Sequence, residues 1–272
     1  MSEIQVSTEA ALALASSPLV LKVLGPTADY IGTGVQAWTE AGLKNLRRIF
    51  ESAEEKLPPD PGPGAVPPRV LARVLSEGAY CDDPVATEYL GGVLASSRSE
   101  VGRDDRGAAW TALVTRLSSY QLRTHYVLYE SARRALVGKS INLGSQQEAE
   151  KRALVHIPLV EFLNGLGPSS AEERMLGDIC SHAFWGLNEE GLILRWGFGA
   201  EKEAVARLAP HSEGGGVVFA ASVRGVELFL WGQGHGQMST DGFFDPAIEF
   251  ASLDDIAVPA HPVAVEDMAP AD

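Results

Sequence analysis

Cysteine is scarce in this chain. Its 272 residues hold only Cys81 and Cys180, far apart and in no ligand spacing, so neither a disulfide framework nor a zinc knuckle is expected. That usage suits a reducing cytoplasm. Lysine is also scarce, six residues against sixteen arginines. Met1 to Ala10 carry Glu3 and Glu9 but no basic residue, which argues against a secretory signal. Long apolar runs are missing too. The nearest, Ala10 to Leu24, is too short to span a bilayer and is interrupted by Ser16, Ser17, Pro18 and Lys22. It reads as a buried or surface-seeking helix, with membrane association open but not favoured. The nucleophile elbow, the P-loop, the dinucleotide fingerprint and the zincin motif are absent. Cys180 and His182 stand two apart on an expected helix, pointing to different sides, with no second pair to complete a metal site. No cofactor and no metal are therefore expected, and a non-enzymatic role is favoured.

What is abundant is acid. Thirty-six acidic residues against twenty-two basic ones leave a net charge of −14. Asp241, Asp245, Glu249, Asp254, Asp255, Glu266, Asp267 and Asp272 contribute eight negatives after residue 240, with no lysine or arginine among them. Such a segment reads as a solvated, disordered acidic tail over residues 239–272. Repulsion from polyanions disfavours nucleic acid as a partner.

Between these ends the pattern is mainly helical. From 26 to 57, Ile31, Val35, Trp38, Gly42, Leu46, Ile49 and Ala53 recur every three or four positions along one helix face, with Arg47 and Glu51 paired on the other. Gly32 and Gly34 signal a close neighbour or a break. The run from Pro58 to Pro68 cannot hold helix. Asp82-Asp83-Pro84 reads as a cap with proline at the first helical position, and Ser118 with Gln121 as a capping box opening a helix through Tyr126, Tyr129 and Leu136. Past Pro168, Ser170 and Glu173 read as a second box before a helix with Met175, Ile179, Ala183 and Leu187. Gly191 to Trp196 has strand character. Gly216–Val223 and Val226–Trp231 flank Arg224-Gly225 like two strands around a turn. The expected organisation is an apolar helical segment over 1–25, a helical domain over 26–167, a small α+β, winged-helix-like unit over 168–238, and the tail over 239–272. A fold of this kind does not fix function.

The stretch Leu24 to Gly32, continued through Trp38 to Leu46, resembles the start of the Abi-alpha (abortive infection alpha) family. The resemblance extends through Val66 to Leu71, Tyr89 to Ala95 and Leu117 to Gln121, covering roughly residues 24 to 137, and Val226 to Trp231 looks like the close of some members. It implies a bacterial role in halting a phage-infected cell and carries no catalytic residues with it; the expected means is binding to an unidentified protein partner. Oligomeric state is left open.

One polar cluster stands out as a place for chemistry. Asp82, Asp83, Arg98, Asp104, Asp105, Arg106, Arg123 and His125 would line a cleft if their segments met, and histidine beside carboxylates works as acid or base. His125, Arg123, Asp82 and Asp83 are the catalytic candidates of that reading, with solvated salt bridges and caps as the simpler account. The alternatives to a defence protein are an enzyme with its site near His125 and a regulator whose winged-helix-like unit binds nucleic acid or a partner. Against DNA, the expected helix there carries Glu172, Glu173 and Asp178 with only Arg174 to offset them.

Overall fold

The computed structural model describes residues 18–19, 22, 40–100 and 103–268. Apart from Pro18, Leu19 and Lys22, the apolar segment 1–25 lies outside the described residues, as do Ile31, Gly32, Gly34, Val35 and Trp38. The described chain is mainly helical with one small antiparallel sheet. It forms two compact units, the first running to Leu117 and including Leu230–Gln237, the second holding Ser118–Phe229 and the chain from Met238 onward. Pro168, where the sequence pattern changes character, lies inside the second unit.

The first unit packs α1 (Glu40–Glu55), α2 (Pro68–Gly78), α3 (Pro84–Ser97) and α4 (Gly107–Arg116). On α1 the expected stripe is buried, with Leu46, Ile49 and Ala53 at 0% exposure, while Arg47 and Glu51 pair at 2.9 Å in solvent. Asp83 caps α3 as its sequence requires: its Oδ1 accepts from the backbone amides of Val85 at 2.9 Å and Ala86 at 3.4 Å. α3 is the unit's central rod, buried along nearly its whole length. Two adjacent glycines let it be so. Gly91 faces the Ser52 side chain on α1, and at Gly92 a Cβ would stand 1.8 Å from the Gly232 carbonyl oxygen. The proline-rich loop is pinned rather than loose, because Arg98 donates to the carbonyls of Pro61 at 2.8 Å and Gly62 at 2.6 Å.

The second unit is built on α5 (Ser119–Leu136), which opens with the full capping box: Ser118 Oγ accepts from the Gln121 amide and Gln121 Oε1 from the Ser118 amide. There follow α6 (Gln146–Arg152), β1 (Leu154–Pro158), α7 (Leu159–Leu166), α8 (Leu176–Glu189), β2 (Ile193–Gly199), α9 (Lys202–Val205), β3 (Gly216–Ala221), α10 (Val223–Gly232, whose residues from Leu230 belong to the first unit) and the two-residue β4 (Val263–Ala264). Helix α7 ends where Gly167 takes a left-handed conformation at φ 64°, just before Pro168. The sheet order is β2-β3-β1-β4, and every pairing is antiparallel. One sheet face buries Leu154, Val218 and Ala220 against Val205 and Ala209. Tyr129, at the heart of the unit, donates its hydroxyl to the Leu192 carbonyl, accepts from the Ser222 amide at 3.1 Å, and packs among Phe219, Phe229 and Phe243.

Three expectations need correction. The two-strand ribbon over 216–231 is a strand followed by a helix. The strand stops at Ala221, Ser222 Oγ accepts from the Gly225 amide at 2.9 Å, and the Val226 amide reaches the Ser222 carbonyl at 3.0 Å, so the helix begins there. The apolar run Val226–Trp231 gave no period to tell the two forms apart, because Val226, Leu228, Phe229, Leu230 and Trp231 are all buried. Gly225, read as a turn residue, instead leaves room for the Tyr129 hydroxyl. The acidic segment is not a solvated tail over residues 239–268. It buries Phe243, Phe244, Ile256 and Ala264, adds β4 to the sheet, and is held by Arg133, which donates to the carbonyls of Asp245 and Ile248, and by Lys139, which pairs with Glu266 and Asp267. The ion-pair partners of Glu266 and Asp267 lie more than a hundred residues upstream, where a local count of charge does not see them. The second capping box is displaced by one position: Glu172 accepts from the amide and hydroxyl of Ser169, and α8 starts only at Leu176.

Candidate functional site

The eight residues of the polar cluster divide between the units. In the first, Asp82 is exposed, and Asp83 is spent on its cap. Asp105 pairs with Arg69 at 3.0 Å. Asp104 binds Arg106, whose hydrogen bond, aided by Gln237, holds the carboxyl far below the usual carboxylate range. Arg106 also lies over the Trp231 ring, 5.8 Å from its centroid. These contacts tie Asp104 and Arg106 to Gln237 and Trp231 and pair both aspartates of that loop. In the second unit, Arg123 is half-buried beside Gly167, while His125 has no exposed surface. The His125 ring stacks on Tyr129 with centroids 4.4 Å apart, and Nε2 lies 3.1 Å from the Gly225 carbonyl oxygen, which only accepts, so Nε2 carries the proton. Burial pushes its pKa down to about 3, leaving it neutral at physiological pH. It is placed to hold α5 against α10, out of reach of solvent protons.

Three groupings that resemble catalytic pairs were not read from the sequence. Ser52, Lys56 and Glu88 form a network in the first unit, with Lys56 Nζ 2.7 Å from Ser52 Oγ and ion-paired to Glu88. The Ser52 hydroxyl donates to Glu88 Oε2 at 2.9 Å, and Ser52 is 3% exposed. In the second unit, His156 on β1 meets Ser212 at 3.1 Å. The Ser212 hydroxyl donates to the Gly214 carbonyl at 2.6 Å, so its oxygen accepts from His156 Nε2, the reverse of an activated nucleophile. Ser118 and His182 lie 3.0 Å apart, but Ser118 Oγ is already accepting from the α5 amide it caps. The two thiols are poor nucleophiles as well, because burial pushes both Cys81 and Cys180 up to about 11. Among the described residues no group of His, Cys, Asp and Glu is arranged to hold a metal ion.

The open feature is a groove of about 490 Å³ in the second unit, lined by Trp185, Leu194, Arg195, Trp196, Ala204 and Arg207, with Gly197 and Leu208. Trp185 projects from α8 with 58% of its surface exposed and meets the Trp196 ring edge-on, centroids 5.1 Å apart at 88°. Trp196 is fixed from behind by stacking on Phe184 at 5.4 Å and Phe198 at 6.3 Å. β2 is an end strand, and its register with β3 slips between Ile193 and Trp196, placing one extra residue in β2. Such a bulge re-aims side chains, here at Arg195. Among the described residues neither Arg195 nor Arg207 makes a salt bridge. Two cations thus line one groove on a chain of net charge −14. The signal available in the sequence was Trp185 itself, which falls off the Ile179–Ala183–Leu187 stripe and so had to face away from that core.

A second hollow of about 290 Å³, between Lys139–Ile141 and Asp241–Pro246, is less suited to a ligand because Lys139 is held by Glu266 and Asp267. No helix among the described residues is long and apolar enough to cross a membrane. No family model matches the chain, and no curated protein and no solved structure matches it.

Proposed function

We propose that this chain is a non-enzymatic phage-defence protein of the Abi-alpha type, working in the bacterial cytoplasm by binding another protein. The sequence resemblance over residues 24 to 137 supplies the biological role, and the Trp185–Trp196 groove is the single observation that carries the mode of action. Aromatic side chains bordered by arginine are the usual anchors of protein recognition. Among the described residues, Asp83 and Ser118 are engaged as caps, Ser212 donates to a carbonyl, and Ser52 and His125 are buried. The regulator alternative loses its wing, since Val223–Gly232 is helical. The enzyme alternative loses its acid–base group, since His125 is buried and neutral.

Expression in a susceptible bacterium, followed by challenge with a broad phage panel, tests the role. The expected result is fewer plaques together with death of the infected cells. Unchanged plaquing across the panel overturns it.

A further inference from the structure

We infer that the groove is a strand-addition site that takes an extended, acidic segment of a partner protein along the free edge of β2. The inference deepens the proposed function and rests on its premise that the chain works by holding another protein. Four consecutive residues of β2, Leu194 to Gly197, line the groove. Past the bulge, Trp196 and Gly197 stand in regular register and lie on opposite sheet faces, so a groove touching both runs along the strand's backbone edge. Its walls agree: Trp185 and Trp196 stand on the α8 side, and Ala204 and Leu208 on the other. The opposite edge of β2 is occupied by β3, and among the described residues the backbone of Leu194–Phe198 makes no hydrogen bond to any segment other than β3. Main-chain bonds to an added strand give affinity, and alternate side chains give selectivity.

Charge selects the occupant. Among the described residues the charged side chains lining the groove are Arg195 and Arg207, so carboxylates on the added strand complete it. A second copy of the chain in the same seat would set arginine against arginine. A nucleobase finds no parallel slot, because Trp185 and Trp196 are mutually perpendicular and Trp196 already stacks on Phe184.

Selection of an mRNA-displayed library of random decapeptides on the full-length chain tests this. The expected outcome is enrichment of peptides with aspartate or glutamate at alternate positions. Binding of the enriched peptide should fall about tenfold or more in the Arg195→Glu/Arg207→Glu chain, as for other close interfacial charges. N-methylation of the amides on one edge of the peptide should abolish binding, with the other edge tolerant. Trp185→Ala, a change at an exposed side chain, should weaken it while leaving backbone amide resonances away from the groove unshifted. No enrichment, enrichment without acidic preference, indifference to N-methylation, or competition by the oligonucleotide dT10 each overturns the inference. A chain that protects cells yet enriches no acidic peptide would remove the groove's role and leave the defence reading intact.

Discussion

Glu130→Gln should stabilise the protein at pH 8 by about 2–3 kcal/mol and leave it unchanged below about pH 4.5. Glu130 lies on α5 with 5% exposure, and its Oε1 has no hydrogen-bond partner. Burial pushes its pKa up to about 7, against the opposing pull of Arg134 and Arg133. The sign follows from proton counts. Between the ordinary glutamate value and about 7 the folded chain holds a proton that the unfolded chain releases, so stability falls as pH rises through that window. Above it the folded state carries a buried carboxylate, which glutamine does not. Urea unfolding at pH 8 and pH 4.5 measures both halves. An equal effect at the two pH values would assign the change to packing rather than to charge.

His125→Gln should remove an acid sensitivity of comparable size and opposite slope. The folded chain keeps His125 neutral down to about pH 3, whereas the unfolded chain protonates it near 6.5. Stability conferred by the neutral ring is full above 6.5 and is lost as pH falls, by about 3 kcal/mol at pH 4. Glutamine places an amide donor near the position of Nε2, so the bond to the Gly225 carbonyl has a substitute. In the wild type the two slopes offset each other between about pH 6.5 and 4.5, giving a nearly flat contribution. The Glu130→Gln chain exposes the histidine slope, and the His125→Gln chain exposes the glutamate slope, rising on acidification. Parallel pH–stability curves for the two variants would contradict both assignments.

These groups show how far the sequence could be read. The Asp83–Pro84 start and the Ser118–Gln121 box were legible because their bonds close within three residues, so the pattern contains both partners. The stripe through Leu46, Ile49 and Ala53 was legible because a helix period reports its own buried face. Residues 216–231 were not, since a run buried on every side has no face to report. The acidic stretch was misread because Lys139, Arg133 and Arg152, which anchor it, sit about a hundred residues away. His125 was singled out for its polar neighbours in sequence, yet it packs on Tyr129 and Gly225 in space. The groove joins α8, β2 and the α9 region, and only the off-stripe position of Trp185 announced it.

If the protein works by holding a partner, this groove, rather than any buried polar pair, is its working surface. The most direct test is plaque counting on cells carrying the wild type, Trp185→Ala, Arg195→Glu/Arg207→Glu or Ser212→Ala chains at matched expression. Both groove variants should lose protection while Ser212→Ala keeps it. Protection that survives in the groove variants and disappears with Ser212→Ala would contradict that assignment.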